Sequence, residues 1–160
     1  MRKIILAISS VLLISNFSCK KAGFDPGTTV AQKAAGGWWV TFTQGGSDVF
    51  GLGTFFLDTY NTAANGDSIW VDDLGHSWDF KVKAQIDYTT LSFATANAQN
   101  TYYNSQVTLL NGKILPKAGH SRAGNVTDSI YFQAQFSDDP SKSTYVISGT
   151  LRTGFIEDDY

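Results

Sequence analysis

Residues 77–88, SWDFKVKAQIDY, alternate apolar and polar side chains without a break. Trp78, Phe80, Val82, Ala84, Ile86 and Tyr88 fall on one side; Asp79, Lys81, Lys83, Gln85 and Asp87 fall on the other. Successive side chains of a strand point to opposite faces, so this period of two predicts a strand with one dry face and one wet face. The pattern returns in VTDSIYFQAQFS through Val126, Ile130, Phe132, Ala134 and Phe136, with Asp128 interrupting it near the start. It returns again in STYVISGTLRTGF through Tyr145, Ile147, Gly149, Leu151 and Phe155. Weaker runs predict strands over 38–43, 49–60, 67–73, 88–96 and 105–110. The separators QGGSD, NTAANGD, DDLGH, NAQN and NGK are turn formers.

Eight sequential strands with hairpin-length links describe an antiparallel meander. Closing it into an up-and-down barrel removes exposed edges, whereas a two-sheet sandwich keeps them. The best runs approach twelve residues, which at ~3.3 Å per residue is long for a sandwich and favours the barrel. Ahead of the first strand, TTVAQKAAG predicts a short helix, with Thr28 or Thr29 as its cap and Gly36 as its stop. The expectation is an all-β domain over 36–160 preceded by that helix.

The N-terminus follows another rule. Arg2 and Lys3 precede an apolar stretch over 4–14, broken only by Ser9 and Ser10. That stretch is short of the roughly 20 residues a membrane helix needs, so residues 1–18 read as a secretory leader. Cys19, the chain's one cysteine, directly follows Ser18. A bacterial lipobox is similar, its cysteine becoming the lipidated first residue, although Asn16 and Phe17 depart from the usual pattern. A lone thiol has no disulfide partner in an oxidising compartment. Residues 19–35 then form the lipidated start, a turn-rich tether and the short helix. The expected location is a Gram-negative cell envelope, on the periplasmic side of the outer membrane. Cleavage would remove two of the 12 basic residues and leave 14 acidic ones in excess, which argues against nucleic acid as a partner.

GGWW at 36–39 opens the first strand, and its G-x-W resembles the opening motif of lipocalins. The resemblance implies that Trp38 closes the base of a barrel, with Arg152 of GTLRTGF packing across it. LDTYNTAANGDSIWVDDLGHSWDFKVKA and RTGFIEDDY together resemble a family of Gram-negative lipoproteins labelled lipid-binding putative hydrolases. That likeness runs from about Gly36 to Tyr160 and implies a lipocalin-like (calycin-like) fold. Neither word of the label transfers by fold alone.

Hydrolytic chemistry has little to stand on. The chain contains no G-x-S-x-G elbow. His76 lies beside Asp72, Asp73 and Ser77, but sequence neighbours seldom form a triad, and a turn histidine is the plainer reading. His120 reads as a loop residue. The two histidines lack metal-ligand spacing, and neither Asp72–Asp73 nor Asp138–Asp139 sits in an alternating oxygen ladder, so no metal and no cofactor are expected.

Binding has more support. Four Trp, seven Tyr and the ten Phe that follow the leader either fill the barrel or partly line a pocket for a small hydrophobic or amphipathic ligand. Lining residues would be Phe80, Val82, Phe132, Phe136, Ile147 and Leu151, with Tyr88 and Tyr145 offering hydroxyls near the mouth. Trp38–Trp39 and Phe55–Phe56 put aromatics on both faces of the first two strands. Unless TTVAQKAAG covers the outer face, that face suits an envelope protein or a glycan, the competing role for a filled barrel.

Overall fold

The computed structural model describes residues 27–160, so the leader read over 1–18 and Cys19 lie outside the described residues. The chain forms one closed antiparallel barrel in which each strand pairs with its sequence neighbours. The strands are β1 (Gly36–Thr43), β2 (Thr54–Asn61), β3 (Ser68–Asp72), β4 (Lys81–Asp87), β5 (Ser92–Gln99), β6 (Gln106–His120), β7 (Val126–Phe136) and β8 (Tyr145–Leu151). Pairing of β1 with β8, from Trp38 opposite Leu151 to Thr43 opposite Val146, closes the ring. The all-β, eight-stranded, up-and-down reading therefore stands.

The dry faces meet inside. Val40, Phe42, Leu57, Ile69, Val71, Phe80, Val82, Leu109, Ile130, Phe132 and Ile147 belong to one buried cluster. Gly149 lets β1 approach closely: a Cβ there would lie 1.9 Å from the Trp39 carbonyl oxygen.

Four local readings are corrected. The expected capped helix is a single 3-10 turn, Val30–Lys33, and the Thr29 side chain makes no capping hydrogen bond. NGK at 111–113 is no turn but part of the fifteen-residue β6, where the pairing with β7 slips between Leu110 and Lys113. Asn111 takes a left-handed conformation there, φ 55°, and the strand bulges instead of reversing. Residues 49–53 are loop, and β4 starts only at Lys81 because Asp79 at φ 49° breaks the extended run after Trp78.

One end of the barrel gathers the 3-10 turn, the 62–67, 88–91 and 121–125 connections, and the C-terminal segment. Ala31 and Ala34 are fully buried there and close that end. The loops 44–53, 73–80, 100–105 and 137–144 surround the other end.

Candidate functional site

The second end is an aromatic mouth. Trp78 stacks on Phe136 with centroids 4.7 Å apart, and Phe42 lies 4.7 Å from Tyr145. Phe80 supports Phe136 from below at 5.5 Å. Phe50 sits over this group, 5.7 Å from both Trp78 and Tyr145 and 5.8 Å from Phe42, while half of its own surface stays exposed.

Buried and rim carboxylates shape the loops that carry these rings. Asp73 accepts bonds from the backbone N–H groups of Gly75, Ser77, Trp78 and Phe80 and from the Ser77 hydroxyl. It thereby aims Trp78 and Phe80 at the mouth. Asp48 accepts from the N–H groups of Phe50, Leu52 and Gly53, and the Gly53 bond leads in holding its carboxyl below the usual range. Gly45, Gly46, Gly51 and Gly53 flank Phe50, all at positive φ, which glycine adopts without a steric penalty.

At the rim, Asp138 accepts from the Trp78 indole at 3.3 Å and the Tyr103 hydroxyl at 2.7 Å. Burial, then this bond to Asp138, pushes the Tyr103 phenol up. The Tyr145 hydroxyl donates to Asp139 at 3.0 Å. The Ser141 hydroxyl, more than any other group, holds the Asp139 carboxyl low. A further node pins the 100–105 loop to the wall: Asp72 accepts from the hydroxyls of Tyr60 and Tyr102 and lies 3.4 Å from the Lys81 ammonium. Burial pushes Asp72 up, but the hydroxyls of Tyr102 and Tyr60, the Leu74 N–H and the Lys81 ammonium together outweigh it and its carboxyl ends below the ordinary value.

The residues read as ligand-lining are distributed along the whole barrel. Phe80, Phe136 and Tyr145 join the mouth. Phe80, Val82, Phe132 and Ile147 have no exposed surface, so no water-sized void touches them and the lumen around them is filled. Leu151 is half-buried beside Trp38 at the closed end. Tyr88 and Tyr145 do not share a mouth, because the Tyr88 hydroxyl donates to the Gly66 carbonyl at the closed end. Tyr88 instead borders an open groove of about 980 Å³ with Asp67, Asp87, Phe93, Gly112 and Lys113.

Trp38 and Arg152 part company. Buried Trp38 donates its indole N–H to the Thr59 hydroxyl at 2.8 Å, and Thr59 in turn donates to the Ala34 carbonyl at 2.6 Å. Arg152 lies on the outer wall, paired with Asp159 through two bonds of 2.7 and 2.6 Å and set over the Phe56 ring. Tyr160 packs on Trp39 at 5.5 Å. The C-terminal segment, not TTVAQKAAG, therefore shields the outer face of Trp39.

His76 forms no triad. Its Nδ1 meets the Phe56 carbonyl at 2.9 Å, while the Ser77 hydroxyl donates directly to Asp73. Among the described residues no cluster of three or more His, Cys, Asp or Glu could hold a metal ion. The sequence reading missed Phe42 and Phe50 as mouth residues. The signal for Phe50 was an apolar pair set between glycines in GGSDVFGLG, which read as the start of a strand.

With this geometry in hand, comparison with known proteins is informative at the level of family. A family profile described as "lipid-binding putative hydrolase" matches residues 24–156. No curated protein matches. One similar solved structure comes from Bacteroides ovatus and is described as of unknown function; it shares 14% identity at a TM-score of 0.46. That similarity covers 79% of this chain but 43% of the other, so the chain spans less than half of that protein's length.

Proposed function

From the premise that this chain belongs to the family of lipid-binding putative hydrolases, we propose that it is a lipid-anchored envelope protein that binds one amphipathic, lipid-like molecule at the aromatic mouth. Support comes chiefly from one observation: Phe50, half-exposed on a glycine-flanked loop, plugs an otherwise continuous apolar stack. If the loop swings aside, Trp78, Phe42 and Tyr145 become the walls of an entry, and Phe136 and Phe80 its floor. Each acyl methylene that enters contributes about 0.8 kcal/mol. The hydroxyls of Tyr103 and Tyr145 and the carboxylate of Asp138 then face the polar end of the ligand. The bonding of His76 and Ser77 supplies no base to a nucleophile, so the reading is of binding and not of ester hydrolysis. Acylated Cys19 holds the protein at a Gram-negative membrane, with the outer membrane's periplasmic side as the proposed place.

Titration with a fluorescent fatty acid, alongside native mass spectrometry of protein purified from its own envelope, tests the reading. One probe per chain is expected, with about tenfold weaker binding for Trp78→Ala and faster exchange for Phe50→Ala. A protein that is always empty and takes up no probe in any of these forms would overturn it.

A further inference from the structure

Apart from Leu115 in β6 and Tyr160 on the outer wall, the exposed large apolar side chains among the described residues lie at the two ends. Val49, Phe50, Leu74, Tyr102 and Tyr103 ring the mouth, while Val30, Val126, Phe155 and Ile156 lie at the closed end. Ile156 is 91% exposed and its neighbour Phe155 56%. They sit at a 3-10 turn, Ile156–Asp158, that is fixed in place. Asp158 accepts from the Thr153 hydroxyl at 2.6 Å, the Ala123 N–H at 2.7 Å and the Asn125 amide at 3.1 Å. The apolar pair is thus presented outward and cannot fold back onto the barrel while those bonds hold.

The chain enters the barrel at this same end. The Val30 N–H donates to Asn65 of the 62–67 connection, and the buried Ala31 and Ala34 seal the base. Only eleven residue steps separate Val30 from Cys19, which can span at most about 40 Å even fully extended. A chain held at Cys19 is therefore tethered to the bilayer through its closed end, and the exposed apolar pair at that end is what would hold it down against the surface.

We propose that the closed end rests on the membrane through Phe155 and Ile156, with Val30 and Val126 beside them, and that the mouth opens away from the bilayer. The partner is a zwitterionic lipid surface. The positive charge of Arg152 is turned to Asp159, and Arg122 donates to the Asp159 carbonyl, while Glu157 stands exposed next to Ile156. Beside the apolar pair both arginines are thus engaged and an acid is exposed, which favours a zwitterionic surface there; Lys33 and Lys117 are exposed cations elsewhere on this half of the barrel. This inference rests on the anchor reading above. It deepens that reading by sending ligand traffic to the aqueous side of the protein and not directly into the supporting bilayer.

The test uses the full acylated chain in phosphatidylcholine vesicles, with a fluorophore on Ile156→Cys or on Val49→Cys. Both positions are surface-exposed, so labelling leaves the fold undisturbed. A quencher carried on the lipid acyl chains should reduce emission at position 156 several-fold more than at position 49. Phe155→Ser in the chain labelled at 156 should remove most of that difference. Equal quenching at the two positions, or stronger quenching at 49, would overturn the orientation. The mass of the N-terminal peptide reads the anchor separately. An unacylated Cys19 would remove the anchor and the orientation together, whereas an acylated Cys19 with equal quenching would remove the orientation alone.

Discussion

Thr59 is the one hydroxyl on an inward run of apolar side chains, and it joins two groups that would otherwise be stranded. It accepts from the Trp38 indole and donates to the Ala34 carbonyl, binding β1, β2 and the 3-10 turn together. Thr59→Val keeps the shape but leaves both partners unsatisfied, at a cost of about 1–3 kcal/mol. Urea denaturation should show a lower midpoint with an unchanged slope. Asp158 makes a second prediction. Its carboxyl lies well below the ordinary range because the hydroxyls of Ser121 and Thr153 and the Ala123 N–H bond its charged form. A folded-state pKa below the unfolded one gives stability that is complete above about pH 4 and is lost as pH falls through the folded value. Thermal unfolding followed from pH 6 to pH 2 should therefore lose less stability in Asp158→Asn than in the parent chain.

Strands were legible wherever polarity alternated, and were misjudged where backbone conformation decided. The period-two runs appear in β7 over 130–136 and at the start of β8, where buried residues alternate with half-buried ones; Val126, read with the dry face, is exposed, and Thr127 is buried in its place. NGK has the composition of a turn, yet Gly112 faces inward where only a hydrogen fits. A Cβ there would lie 2.4 Å from the Phe93 carbonyl oxygen and 2.5 Å from its ring. No local pattern announces that approach, because its cause is a residue from another strand. Gly149 carries the sharper consequence, since it stands at the seam that closes the barrel. Gly149→Ala drives a methyl into the β1 backbone and should cost about 3 kcal/mol or more, beyond the usual range for overpacking. Hydrogen exchange should then show faster opening of the β1–β8 pairing than of β3–β4.

On the scale of the whole molecule, the described residues form a barrel closed at one end by Ala31 and Ala34 and plugged by Phe50 at the other, and the plugged mouth is the proposed place for a guest. A ligand that binds only the folded form stabilises it by mass action, by about 2.7 kcal/mol at a hundredfold excess over Kd. A saturating medium-chain fatty acid should therefore raise Tm in a concentration-dependent way, and Trp78→Ala should blunt the increase; an unmoved Tm would show that the mouth takes up no fatty acid. The amino-acid order alone determined the number of strands, their antiparallel succession and the dryness of the interior. Those properties follow from local periodicity and short connections, which every strand carries within itself. What folding in three dimensions decided was which inward residues meet. Tyr88 and Tyr145 share a pattern but end at opposite ends of the barrel, because β4 and β8 run the same way and Tyr88 follows the end of one whereas Tyr145 begins the other. Arg152 leaves Trp38 for Asp159, and Phe50 leaves its expected strand to cover the mouth. Phe50 is placed by Trp78 and Tyr145, from segments far apart in the chain, and no single stretch of sequence contains those partners. Arg152 and Asp159 stand only seven residues apart, but it is the turn of the chain over the outer wall that brings them together.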